Sequence, residues 1–301
     1  MPAPLLMLSA TLLFALMALC VKLASSYYSP TEIVMYRGIV GVVFITVLAR
    51  WRGVALATSV PSMHLWRGLL GVTSLTLWFF AISGLPLATA MTLNAMSSIW
   101  MAVYLMGGAV LLGGKAVDGR LVATVLVGFA GVACVLQPTF HQAQLIWGLA
   151  GLGSGLIASM AYLTVTALGR AGEPELRVVF YFSVASVLAG AGLSLGTGTP
   201  WRLEGHTFKG LALLLGVGLT ATLAQVMLTA AYARGKLLVN ACLNYCGIAF
   251  SALLGWAVFQ ERPGWLASAG ILLIVAAGLA ATLLRAQVTQ QSKDIQPDRH
   301  E

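Results

Sequence analysis

Ten apolar runs, most of them close to 20 residues long, follow one another along the chain, separated by short segments rich in proline, glycine or charge. An α-helix needs about 20 apolar residues to cross the hydrocarbon core of a bilayer. Backbone polar groups find no water in that core, so such a run must fold as a helix. The pattern predicts an all-α integral membrane protein with ten transmembrane helices, which we place at about 5–24, 32–49, 67–85, 88–112, 120–137, 145–168, 175–195, 209–231, 237–259 and 264–284.

The charged residues are too few for a soluble surface and are unevenly distributed. They make up 9% of the chain, against about 25% in a soluble globular protein. The net charge of +8 does not indicate a nucleic-acid partner, because the lysines and arginines lie mainly between the apolar runs. If the N-terminus is cytoplasmic, twelve of them, including Arg67, fall on the cytoplasmic side and four on the opposite side. This bias predicts a multi-pass protein of the inner membrane with both termini in the cytoplasm.

The two halves of the chain share weak sequence similarity in the same order. The segment PTEIVMYR (30–37) is similar to PELRVVFY (174–181), 144 positions later. The segment WRGLL (66–70) is similar to FKGLA (208–212), 142 positions later. Matches at a nearly constant offset indicate an internal repeat of five spans.

A repeat with an odd number of spans must cross the membrane in opposite senses in its two copies. We therefore expect two inverted five-helix repeats, at 1–143 and 144–285, followed by a disordered cytoplasmic tail at 286–301. Inverted repeats are typical of secondary transporters, whose substrate site lies near the midplane between the repeats.

Two segments carry a resemblance to a known family. The turn GLPLATAMTL (84–93) and the span end ALLGWAVFQER (252–262), with ten spans in a five-plus-five repeat, resemble the drug/metabolite transporter superfamily, and specifically its EamA-type branch, over residues 5–285. The resemblance implies a secondary transporter that moves a small organic metabolite by alternating access, proton-coupled or by exchange. It suggests an amino acid, an amino-acid derivative or a vitamin-like compound as substrate, no cofactor, and a monomer or homodimer in the lipid bilayer.

Arg37 lies inside the second apolar run, where an unpaired guanidinium costs several kcal/mol. Glu32 is five residues away, so on a helix the two side chains point in different directions. Three interpretations remain: Arg37 ties helices together through backbone carbonyls, it faces a cavity and attracts a carboxylate- or phosphate-bearing substrate, or it gates together with Glu32 or Lys22. Glu32 is itself either a protonation site or the partner of Lys22 in an interfacial ion pair.

Polar and aromatic side chains at mid-depth give the remaining candidates for a substrate site. Asn94 and Asn244 fall at comparable places in the two repeats, as a pseudo-symmetric site requires. The alternative is that such side chains only form hydrogen bonds between helices, or pack there. The other candidate substrate-binding residues are Trp78, Ser98, Trp100, Tyr162 and Tyr245.

An integral-membrane enzyme or a channel acting on a small polar or lipid substrate is the alternative function. The four histidines are scattered over loops and the tail, and the four cysteines lie within apolar runs. Neither arrangement predicts a catalytic group or a metal site. The sequence therefore favours a transporter over an enzyme.

Overall fold

The computed structural model describes residues 2–111, 119–136, 142–196, 207–235, 240 and 243–294. The regular structure in this part of the chain is helical, as predicted. The helices are α1 (Ala3–Ala24), α2 (Pro30–Trp51), α3 (Pro61–Gly84), α4 (Leu87–Ala95), α5 (Ser97–Leu111), α6 (Gly119–Leu136), α7 (Gln142–Arg170), α8 (Glu175–Gly196), α9 (Phe208–Arg234), α10 (Cys246–Phe259) and α11 (Trp265–Asp294).

These helices give ten spans, because α4 and α5 are separated by the single residue Met96 and together form the fourth span. Six helices in the described ranges are each long and apolar enough to cross a membrane, namely α1, α2, α3, α7, α8 and α9. The ninth predicted span, at 237–259, includes residues 237–239, 241 and 242, which lie outside the described residues. Large apolar side chains such as Val47, Leu65 and Leu188 are exposed on the outer surface, as expected for helices in contact with lipid.

Several helices exceed their predicted bounds by a few residues, and α3 and α11 do so the most. Helix α3 begins at Pro61 and not at 67, so Arg67 lies within the span and not in a cytoplasmic loop. Proline is favoured at the first position of a helix, where its missing N–H leaves no hydrogen bond unmade. Helix α11 continues to Asp294, so residues 286–294 of the predicted disordered tail are helical.

Corresponding helices of the two halves make equivalent packing contacts. Helix α1 packs on α9 and, equivalently, α7 packs on α3. Helix α2 packs on α8, and α6 packs on α11, so each of these helices contacts its own counterpart. The two halves therefore interlock, and the space at their centre is lined by both.

Contacts at the helix ends give the direction of each helix. Helix α1 begins beside Gly235, at what we call the first face, and ends with Lys22 bound to Glu261, at the second face. Helix α7 runs the other way: Trp147 near its start packs on the second-face end of α3, and Glu173 after its end bonds the first-face start of α3. The fold is an all-α integral membrane protein of two inverted five-helix repeats.

Candidate functional site

A small cavity of about 70 Å³ lies at the centre of the bundle and is lined by residues of both halves. Five of the eight predicted substrate-binding residues line it: Arg37, Trp78, Asn94, Tyr162 and Asn244. Drug-sized ligand sites measure about 300–1,000 Å³. The cavity must therefore widen before it can hold a metabolite of that size.

Asn94 is positioned by helix α7 at the point where the fourth span is interrupted. Its side-chain amide donates to Ser154 Oγ at 3.0 Å. Gly155 lets α7 come this close, since a Cβ there would lie 2.7 Å from the carbonyl oxygen of Leu93. Met96, two residues after Asn94, separates α4 from α5. Interrupted helices of this kind commonly form substrate sites in transporters with inverted repeats.

Asn244 occupies the corresponding place in the second half. Tyr245 follows it and interrupts the helical segment just before α10. Asn244, which belongs to the second repeat, lines the cavity. Tyr245 does not line it and is buried with Ala95 and Ile248. The two asparagines thus meet at one cavity, each beside a helix interruption.

Arg37 is 4% exposed and points into the cavity. Its Nη1 donates to Ser186 Oγ at 3.2 Å, and its guanidinium lies 4.7 Å from the centre of the Phe182 ring. Its Nε has no hydrogen-bond partner among the described residues. The predicted tie to backbone carbonyls is not what the described contacts show, because the acceptor is a hydroxyl group.

Arg67 is a second buried cation that the sequence analysis missed. It is 3% exposed, lines the cavity, and places its guanidinium 4.1 Å from the centre of the Phe182 ring. Sequence analysis placed it in a loop because the span was started at residue 67. Pro61, a suitable first residue of a helix, was the signal that would have placed it inside.

Two aromatic residues of the predicted site line the cavity while packed against other rings. Tyr162 stacks on Tyr232 with ring centres 5.5 Å apart. Trp78 meets Phe14 edge to face at 6.4 Å, and its Nε1 has no hydrogen-bond partner in the described ranges. Each ring therefore offers the cavity a surface held in place by a neighbour.

Ser98 and Trp100 do not line the cavity with the other candidates. Trp100 packs edge to face on Phe129 of α6, with ring centres 5.0 Å apart. Ser98 is partly buried in the first turn of α5. Both follow the helix interruption at Met96.

Lys22 forms part of a polar cluster that closes the second face. Its ammonium group binds the carboxylate of Glu261 and donates to the carbonyl oxygen of Leu85 at 2.7 Å. The same carboxylate accepts from the backbone N–H of Leu87 at 2.7 Å. This cluster, which we call the latch, joins the end of α1, the α3–α4 connection and the end of α10.

Glu32 is not the partner of Lys22. Its carboxylate accepts from the backbone N–H of Ser29 at 2.8 Å, and the Ser29 hydroxyl accepts from the Glu32 N–H, which forms a capping box at the start of α2. An acidic residue in the first turn also complements the helix dipole. The predicted ion pair of Glu32 with Lys22 is therefore wrong, and the described contacts of Glu32 fix a helix start.

A second polar cluster lies at the first face. The Glu173 carboxylate bonds His64 Nε2 at 3.0 Å, Arg177 Nη1 at 3.1 Å and Thr58 Oγ1 at 3.1 Å. Burial alone would raise the pKa of Glu173, but the hydrogen bonds from His64, Arg177 and Thr58 hold it below its usual range. The cluster joins the α7–α8 connection to the starts of α3 and α8. Across the described ranges, no group of three or more His, Cys, Asp or Glu side chains is placed to hold a metal ion.

Comparison with known proteins gives relatives that cover almost the whole chain. No protein-family model matches. The pseudopaline exporter of Pseudomonas aeruginosa is 31% identical over 273 residues, which span 90% of this chain and 92% of the exporter. A riboflavin transporter of Vibrio cholerae is 27% identical over 279 residues and 90% of each chain. A solved crystal structure matches with a TM-score of 0.67 at 22% identity, over 94% of this chain and 98% of the other, and shows a shared fold.

Fold and relatives agree on the class of protein. An inverted repeat with a central cavity is the architecture of a secondary transporter, and relatives of matching length carry transporter names. The chain belongs to the drug/metabolite transporter superfamily and is a multi-pass membrane transporter of small organic molecules, not an enzyme.

Proposed function

We propose that this protein is an EamA-type transporter of the inner membrane that moves an amino acid, an amino-acid derivative or a vitamin-like metabolite through the central cavity. The observation that carries the proposal is the meeting of Asn94 and Asn244, one from each repeat, at a single cavity beside two helix interruptions. Amide side chains can donate and accept, so together they suit the polar groups of such a metabolite. Repeats 1–143 and 144–285 would then be the two bodies that move around the site.

Alternating access requires that each face can close, and the latch supplies a closure at the second face. Breaking the bonds of Glu261 to Lys22 and to the backbone of Leu87 would free three chain segments at once. Glu261 is partly buried, so the pair is stronger than an ion pair in open water. In this proposal Lys22 keeps the gating role expected from the sequence, with Glu261 as its partner and not Glu32.

The orientation follows from the positive charges. The start of α1 lies at the first face, together with exposed or partly exposed basic residues such as Arg50, Arg177 and Arg234. We propose that the first face is cytoplasmic, because cytoplasmic loops carry the excess of lysine and arginine. The latch would then close the outer side, and the protein would act as a monomer or homodimer.

Uptake into proteoliposomes tests the function. Purified protein is reconstituted, and entry of labelled amino acids, amino-acid derivatives and vitamins is followed over time. We expect saturable uptake of at least one compound, which the variant Asn94→Leu reduces strongly. The control Thr76→Val removes a hydroxyl that bonds only the Val72 carbonyl of its own helix among the described contacts, and should leave uptake unchanged. Entry without saturation would instead identify a channel.

A further inference from the structure

Two guanidinium groups share one aromatic ring at the centre of the protein. The carbon centres of Arg37 and Arg67 lie 4.7 and 4.1 Å from the centre of the Phe182 ring. Their separation cannot exceed the sum of these distances, about 8.8 Å. Two like charges are therefore held close together in a region from which both lipid and bulk water are largely excluded.

The hydrogen-bonding capacity of these groups is mostly unused. An arginine side chain carries five N–H donors. Arg67 Nε and Nη1 and Arg37 Nε have no partner among the described residues, although all three atoms are buried. A single hydroxyl, that of Ser186, accepts from Arg37. Buried charges persist when something pairs with them, and the cavity is the open space that both side chains reach.

The described part of the protein supplies no counter-charge at the cavity, because none of the residues that line it is acidic. Within the described ranges, each of the four glutamates near a membrane face is engaged by another group. Glu261 binds Lys22, Glu175 binds Arg234, Glu173 binds His64 and Arg177, and Glu32 binds Ser29. Among the described residues, the cavity thus presents two positive charges without a balancing negative charge.

We propose that Arg37 and Arg67 form a paired anion site and that the transported metabolite carries two carboxylate groups. This inference rests on the proposed function and adds the chemical class of the substrate. A guanidinium binds a carboxylate through two parallel hydrogen bonds, so two of them match a dicarboxylate in charge and in donor geometry. Asn94 and Asn244, which line the same cavity, bind the polar remainder of the molecule.

Gly71 leaves the space that the guanidinium of Arg67 occupies. A Cβ at Gly71 would overlap Arg67 Nη1 and would lie 2.8 Å from the Phe182 ring. The Arg67 side chain thus folds along α3 into the space that the absent side chain leaves. With any larger residue at this position, the guanidinium would have to shift from its present place.

Thermal unfolding of the purified protein in detergent, followed by tryptophan fluorescence, tests the proposal. The probes are malonate, succinate and glutarate, with succinamate and succinamide as analogues of succinate that have lost one and two charges. Ionic strength is kept equal with sodium chloride. We expect at least one diacid to raise the unfolding temperature, with half-maximal effect at a concentration at least about tenfold lower than for succinamate. Inorganic phosphate is run beside them as a dianion without carboxylates.

Three variants identify the groups responsible. Arg67→Met should reduce the preference for diacid over half-amide to about onefold, and Arg67→Lys should retain part of it, because it keeps the charge but not the paired donors. Arg50→Gln removes an exposed charge from the end of α2, the same helix as Arg37, and should leave the preference intact. The unfolding transition itself reports whether each variant is folded.

The proposal is overturned if no diacid stabilises the protein more than succinamide does, if phosphate alone stabilises it, or if Arg50→Gln abolishes the preference as fully as Arg67→Met. The proposed function is judged separately by uptake into proteoliposomes. Saturable transport of a neutral metabolite without diacid binding would remove the dicarboxylate assignment and leave the transporter mechanism standing. Diacid binding without transport of any compound would remove the transporter mechanism and leave the anion site standing.

Discussion

The buried pair of arginines predicts that removing one charge makes the empty protein more stable and the transporter inactive. The perturbation is Arg67→Met, which replaces a cation by an apolar side chain of comparable length. Function and stability then change in opposite directions, which a purely structural arginine would not produce. The prediction therefore separates a side chain that holds helices together from one that waits for a ligand.

The magnitude follows from three contributions. Removing the charge removes the cost of an arginine at membrane depth, about 2.5–3.5 kcal/mol. It also ends the repulsion from Arg37, which at no more than 8.8 Å amounts to about 2 kcal/mol or more at an effective dielectric constant of about 20. Loss of the cation–π contact with the Phe182 ring acts in the opposite direction and lowers this gain in stability by about 2 kcal/mol. The balance predicts a free energy of unfolding about 3 kcal/mol above that of the parent protein.

The assay is reversible unfolding in mixed micelles by sodium dodecyl sulfate, followed by tryptophan fluorescence, together with uptake into proteoliposomes. Arg177→Met is the matched control, because Arg177 also lies near the start of a helix but has its donors paired with Glu173 and the Ala55 carbonyl. That variant should lose about 1–3 kcal/mol. If Arg67→Met is destabilised to the same extent, the protein itself satisfies the Arg67 guanidinium and the reasoning is refuted.

Three further predictions concern the helix contacts and the two polar clusters. Gly155→Ala should abolish uptake and destabilise the protein, because the new methyl group meets the Leu93 carbonyl oxygen at 2.7 Å, whereas Gly153→Ala, with nothing nearer than 3.9 Å, should be tolerated in the same uptake and unfolding assays. Glu261→Gln should weaken the latch. In a cysteine-free background with one cysteine placed at the cavity, a membrane-impermeant thiol reagent added at the second face should then label that cysteine faster. An unchanged labelling rate would exclude the latch as a gate. Because the pKa of Glu173 is held below its ordinary value of 4.5, its stabilising effect is complete above that pH and disappears as the pH falls through the lowered pKa, so Glu173→Gln should flatten the acid side of a stability–pH curve.

The sequence predicted which polar residues lie inside a span better than it predicted which face of the helix they occupy. Arg37, Asn94 and Asn244 each lie well inside an apolar run, and in the structure all three line the central cavity. Trp100 lies at similar depth but packs against a neighbouring helix. Spans that are apolar all round give no periodic signal for the face that meets the cavity.

Helix ends and pairings across the fold were harder to predict. Arg67 was misplaced because a hydropathy boundary puts the start of a span at the last charge, whereas the helix begins with the proline six residues earlier. An ion pair of Lys22 with Glu32 was one of two interpretations of Glu32, because the two residues are near in sequence, yet the partner of Lys22 is Glu261, 239 residues away. Such a contact arises only when the inverted repeats interlock, and neither residue alone indicates it.

A dicarboxylate substrate at this cavity also predicts which step of the transport cycle is slow. An empty carrier would move two uncompensated cations through a narrow passage, whereas a carrier loaded with a dicarboxylate is neutral at the same place. The barrier is lower for the neutral complex, since desolvation of unpaired charge is costly. We therefore expect labelled substrate to enter vesicles preloaded with unlabelled substrate faster than empty vesicles, which is exchange. Equal initial rates in the two kinds of vesicle would mean that another ion neutralises the empty site, and coupled net transport would then replace exchange as the mechanism.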